Sequence, residues 1–183
     1  YTARIRHEMV DFLTWRQADV RGVHAEPLYR LEDGHYQFKY FPAFALMMAP
    51  FGVLDQDTGK ALWFVISMTL LVFLLRSSIA ALPERRLSYG ILLGCVIVFM
   101  AKFYAHELVL GQVNLLLAGL LMASLVAIQN GRPLIAGSLV GVAVFVKPYA
   151  LILVPWFLVT RRLVPAAMAV GVVILGVLLP AGG

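Results

Sequence analysis

The chain has 183 residues, 61% of them hydrophobic, and a mean hydropathy of +0.86, well beyond the roughly 45–50% apolar usage of a soluble domain. Fifteen Lys and Arg against ten Asp and Glu leave a net charge of +5, but the basic residues are scattered through short loops between apolar runs, which argues against nucleic-acid binding and fits membrane orientation. An all-α integral membrane protein is expected, with about 20 residues per span leaving room for five or six spans and one sizeable polar region.

The start at Tyr1 rather than Met, and the end at Gly183 just after an apolar segment, read as a fragment of a larger protein, with a span before Tyr1 and several after Gly183. Residues 1–40 are mixed in charge and rich in aromatics, so they read as an extramembrane loop with a short helix over 9–20. Residues 41–54 are apolar but short and carry Pro42 and Pro50, which predicts a helix lying in the interface or re-entering. On this reading residues 1–59 form a long extracytoplasmic first loop with interfacial helices, and 60–183 form part of a transmembrane bundle. Residues 60–82 are a clear span; 87–103, 112–128, 134–146, 149–159 and 163–179 are further candidates.

Loop charges test the layout, because Lys and Arg concentrate in short cytoplasmic loops. If 41–54 does not cross, and 134–159 is two short helices broken at Lys147-Pro148, then Arg85-Arg86, Arg132 and Arg161-Arg162 share the cytoplasmic side. The opposite side receives the first loop, a turn at Tyr104-Ala105-His106-Glu107 with the following G-Q-V-N, and Lys147. A single kinked helix over 134–159 is the simpler alternative and would put Arg161-Arg162 outside.

Gln112 and Asn114 stand at the head of an apolar run, where uncharged amides must find partners in protein, water or a ligand; they mark a polar cavity at membrane depth. Lys147 interrupts another apolar stretch and must snorkel, pair with an acid or bind an anion, and Pro148 frees carbonyls in the turn before it. Among the acids, Asp11 sits between Val10 and Phe12 near Trp15, where desolvation could raise its pKa toward a working base. Asp19, Asp33, Asp55 and Asp57 read as solvated loop acids. Trp15 and Tyr40 offer flat faces for carbohydrate stacking, with Tyr29, Tyr36 and Phe38 nearby. His106 and Glu107 are candidates for substrate contact but point about 100° apart on a helix, so they are not a metal pair. No zinc, P-loop or serine-hydrolase motif is present. Cys95 reads as a small buried apolar residue.

Several segments follow in order: D-F-L-T-W-R-Q-A at Asp11, P-L-Y at Pro27, F-K-Y-F-P at Phe38, A-P at Ala49, L-W at Leu62, G-Q-V-N at Gly111, and A-G-S-L-V-G-V-A-V-F-V-K-P ending at Pro148. Together they resemble the polyprenol-phosphate-mannose-dependent mannosyltransferases of glycosyltransferase family 87, which have the GT-C fold. The resemblance implies a multi-pass plasma-membrane hexosyltransferase moving a sugar, commonly mannose, from a polyprenyl phosphate to a glycolipid or glycan acceptor outside the cytoplasm. It implies that Asp11 matches the general base of the first outer loop, and that Lys147 matches the basic residue of the K-P motif, its charge suiting donor phosphate. The donor is then a co-substrate and no cofactor is expected; phosphate leaves readily, so a metal is not obligatory. This sequence departs from the family pattern at Phe41 or Ala43, where a second proline often stands, and at Trp15, where a tyrosine does. A transporter or flippase for a lipid-linked or small polar substrate is the alternative, the same cavity binding without chemistry.

Overall fold

The computed structural model describes residues 7–178 other than 25 and 85, and not the side chains of 23, 35 and 36. Expectations placed on residues 1–6, on the Tyr36 ring, on Arg85 and on the chain after Leu178 lie outside the described residues. Every regular element among those described is helical.

Helix α1 (Val10–Val23) leads through a short 3-10 segment, Leu31–Tyr36, to α2 (Pro42–Val53). Pro42 opens α2, where its missing N–H removes no helical hydrogen bond. The 12 residues of α2 rise only about 18 Å, short of the roughly 30 Å hydrocarbon core. The short helix expected at 41–54 is present, therefore, and it lies against α1. Arg16 of α1 donates to the carbonyls of Phe51 (3.1 Å) and Leu54 (2.5 Å), supplying donors that the C-terminal turn of α2 lacks. Gly52 allows the close approach, since a β-carbon there would lie 3.1 Å from the Asp19 carbonyl carbon.

Helices α3 (Gln56–Ala80) and α4 (Tyr89–Leu110) are long and apolar enough to cross a membrane. The span expected from residue 60 starts earlier, because Asp55 caps α3 by accepting from the Thr58 N–H at 3.0 Å. The turn expected at residues 104–107 is overturned: α4 continues through them to Leu110. Nothing in Tyr104-Ala105-His106-Glu107 breaks a helix, whereas Gly111 takes the left-handed conformation (φ 68°) that ends one.

Helices α5 (Asn114–Gln129) and α6 (Pro133–Val146) form an antiparallel pair, tied by Ser124 Oγ donating to the Ala136 carbonyl at 2.9 Å. Lys147 is extended (φ −151°, ψ 128°), and a 3-10 turn, Pro148–Ile152, leads into α7 (Leu153–Val159) and then α8 (Leu163–Leu178). Phe157 of α7 packs with Val140 of α6, and Arg161 and Arg162 line one cavity with Gly131 and Pro133. The chain therefore doubles back after Lys147. Two short helices are what the structure contains, and the single kinked helix is excluded.

Helices α6 and α8 run parallel and unusually close. A β-carbon on Gly137 would collide with the Pro165 carbonyl, and one on Gly141 would lie 2.6 Å from Val172 Cβ; such small-residue spacing is how apolar helices approach where lipid gives no hydrophobic drive. Helices α3 and α5 are also parallel, Trp63 reaching Gly111 and Leu70 meeting Gly119. Consequently α1, α2, Gly111 and Lys147 gather at one end of the bundle, while Arg132 and Arg161-Arg162 lie at the other, where α3 also ends. One apolar cluster runs from Phe12 and Trp15 through Phe44, Trp63 and Val113 to Phe145, so the leading segment and the bundle share a core. By contrast α4 buries none of its residues and exposes Val98, Phe99 and Phe103, a surface that suits lipid.

Replacing Gly137 by Val is expected to force α6 from α8 and to cost about 1–3 kcal/mol, read as a lowered Tm in detergent.

Candidate active site

The site is organised by the Gly111 turn. Its carbonyl accepts from the indole N–H of Trp63 at 3.1 Å and, at the limit of hydrogen-bonding length, from that of Trp15 at 3.5 Å. A β-carbon at Gly111 would lie 2.7 Å from Phe12 Cβ and 3.1 Å from Met9 Cε. Only glycine satisfies both the positive φ and this contact. Helix α1 is thus seated directly on G-Q-V-N, and Asp11, beside Phe12, is brought to that end of the bundle.

A chain of polar side chains crosses the turn. Asn114 Nδ2 donates to Glu107 Oε1 at 2.6 Å and to Gln112 Oε1 at 2.8 Å, and Asn114 Oδ1 accepts from Lys147 Nζ. The Asn114 amide therefore presents its oxygen to an ammonium and its N–H groups to a carboxylate, aligning its dipole between two opposite charges. Lys147 also stands 6.0 Å from the Tyr149 ring centroid, within reach of a cation–π attraction. Glu107 Oε2 is buried with no partner among the described residues.

Tyr40 links this chain to Asp11. Burial pushes its phenol up to about 12, and the Asp11 and Glu107 carboxylates push the same way. The half-buried phenol therefore stays protonated at neutral pH. Its ring is stacked on Phe44 at 4.6 Å, so the hydroxyl is held in place by core packing.

Of the residues singled out in the sequence, Glu107, Gln112, Asn114 and Lys147 form one hydrogen-bonded group, and Asp11 and Tyr40 adjoin it. Trp15 needs correction as a stacking face. It is wholly buried (0% exposed) among Phe12, Phe44, Phe51 and Trp63, so no sugar reaches its ring. His106 is exposed on α4, turned away from the chain that Glu107 joins. Cys95 is exposed rather than buried, because its helix packs so little.

Two charged residues escaped the sequence reading. Asp19 is 1% exposed, not solvated, because its turn of α1 is pressed against Gly52. Both its oxygens lack partners among the described residues, and desolvation raises its pKa to about 8, partly opposed by Arg16. Lys60 is 2% exposed and lines a cavity of about 470 Å3 with His7, Leu13, Gln56 and Asp57. The cap at Asp55 was the available signal, since it places Lys60 inside the helix rather than at its mouth.

The sequence model of glycosyltransferase family 87 matches residues 38–182. The chain belongs to glycosyltransferase family 87. No curated protein and no solved structure matches it. The family match takes in Tyr40, Glu107, Gln112, Asn114 and Lys147 and begins after Asp11, which is brought toward them by the Phe12–Gly111 contact and lies outside the matched sequence.

The buried acid has a consequence for this family 87 chain that can be measured. The folded-state pKa of Asp19 lies above the ordinary 3.8, so the native form holds a proton that the unfolded chain has lost. Stability is therefore expected to fall as pH rises from 3.8 to about 8 and then to level off. Asp19→Asn should flatten that dependence and raise Tm most at the alkaline end, in thermal unfolding scans from pH 5 to 9.

Proposed function

We propose that this glycosyltransferase uses the Lys147 end of the bundle, on the extracytoplasmic side of the cell membrane, to move a hexose from a polyprenyl-phosphate donor to an acceptor hydroxyl. The proposed sugar, mannose, rests on the family resemblance alone, as does a glycolipid or glycan acceptor. The observation that carries the reading is the chain Lys147–Asn114–Glu107 beside Asp11 and Tyr40. One end of it offers an ammonium for phosphate; the other offers an unpaired carboxylate oxygen and two amides for sugar hydroxyls.

The reaction is a single displacement. Asp11 takes the proton of the acceptor O–H as the oxygen bonds to the anomeric carbon. The bond from that carbon to the phosphate oxygen breaks on the opposite face, its electron pair leaves with the phosphate, and the configuration inverts. Lys147 offsets the charge that develops on the departing lipid phosphate. Tyr40, kept protonated by its surroundings, remains a hydrogen-bond donor to substrate. The sugar hydroxyl that meets Glu107 Oε2 supplies the hydrogen bond which that oxygen lacks.

Asp11→Asn is expected to lower transfer from a radiolabelled polyprenyl-phosphate hexose by about 10²–10⁴-fold while leaving the protein folded and inserted. Normal turnover by that variant removes Asp11 as the base. Lys147→Ala should weaken donor use by about 10²-fold or more, seen as a raised donor KM and a lowered kcat. Movement of the lipid-linked sugar across reconstituted vesicles without cleavage of its phosphate bond would instead identify a flippase.

A further inference from the structure

At the end of the bundle remote from Lys147, the turn joining α5 to α6 and the turn joining α7 to α8 border an open cavity of about 380 Å3, within the usual range for small-molecule sites of about 300–1,000 Å3. Ile128, Pro133, Leu163 and Val164 give it apolar walls, and Arg161 and Arg162 line it beside them. No acid lines it. Neither arginine makes an ion pair with another described residue. Arg132 occupies the same turn as Gly131 and Pro133, adding a third exposed positive charge close by.

Apolar surface begins at the edge of this charged hollow. Leu134 of α6, Leu158 and Val159 of α7 and Leu163 of α8 are all exposed. The place therefore joins two chemistries: guanidinium groups without a counter-charge, and hydrocarbon surface leading away from them. Guanidinium forks match phosphate oxygens two at a time, and apolar flanks suit acyl chains.

We propose that this cavity binds the headgroup of an anionic phospholipid, its acyl chains lying along the exposed faces of α6 and α7. Membrane orientation by loop charge accounts for basic residues at this end, but it asks for neither a cavity nor a particular side chain. The backbone sharpens the point. The left-handed positions that end α4 and α5 are Gly111 (φ 68°) and Gly131 (φ 67°), whereas the one after α7 is Arg161 (φ 56°), a conformation that side chains other than glycine's resist. Arg161→Gly therefore removes a guanidinium while relieving its backbone.

The test is native mass spectrometry on the delipidated full chain in detergent, titrated with phosphatidylglycerol or phosphatidylcholine, with inorganic phosphate as competitor. Phosphatidylglycerol should bind at least about fivefold more tightly than phosphatidylcholine, the scale set by one arginine near an anionic surface. R161G should weaken phosphatidylglycerol binding about fivefold with no fall in Tm. R161K/R162K, which keeps every charge but loses the forks, should also bind more weakly than the parent, and it serves as the check should R161G prove unstable. Equal binding of the two lipids, or undiminished phosphatidylglycerol binding by R161G and R161K/R162K, overturns the proposal. Complete displacement of lipid by equimolar inorganic phosphate would assign the cavity to a free anion and overturn the lipid.

Discussion

The carbonyl of Gly111, held by two indole N–H groups, fixes the rest of the structure. A helix ending in an apolar setting leaves carbonyls without partners, and leaving them so is costly. Here Trp63 from α3 and Trp15 from α1 approach the same oxygen from different parts of the chain. Each ring also sits in the aromatic core with Phe51. The hydrogen bonds orient, and the buried aromatic area supplies most of the attraction. The first helix is thereby locked onto the turn that carries Gln112 and Asn114, and Asp11 comes to the same end of the bundle as polar side chains from α4, α5 and the end of α6.

Charge within this arrangement is handled in two ways. Lys147 and Glu107 are not in direct contact; Asn114 stands between them, accepting from one and donating to the other. An amide interposed between the two side chains leaves each with capacity for a further partner, which a direct contact would consume. Asp19 shows the opposite solution: with no donor offered, its carboxyl holds its proton instead. The first arrangement suits a substrate site, and the second adds pH sensitivity to folding.

Much of this was legible in the residues because membrane burial makes polar side chains conspicuous. Gln112, Asn114 and Lys147 stand out in apolar runs, and the break at Lys147-Pro148 follows from proline chemistry together with the clustering of arginine. Other features were hidden where local pattern and tertiary contact disagree. Helix α4 continues through His106 and Glu107 because helices end on geometry, supplied at Gly111, rather than on polarity. Trp15 looked like an accessible loop aromatic; its burial depends on α2 and α3, which no local window contains. Asp19 was misread for the same reason, as the covering surface comes from Gly52 in another helix.

The short return segment, Pro148–Val159, bears on how the chain enters a bilayer. It rises at most about 24 Å even allowing for its 3-10 portion, so it cannot partition across hydrocarbon as an independent span. Its parallel neighbours, α6 and α8, interlock through Gly137 and Gly141 and can face the same way only because that segment carries the chain back between them. The three pieces therefore depend on one another, the return segment for cover and its two neighbours for their common direction.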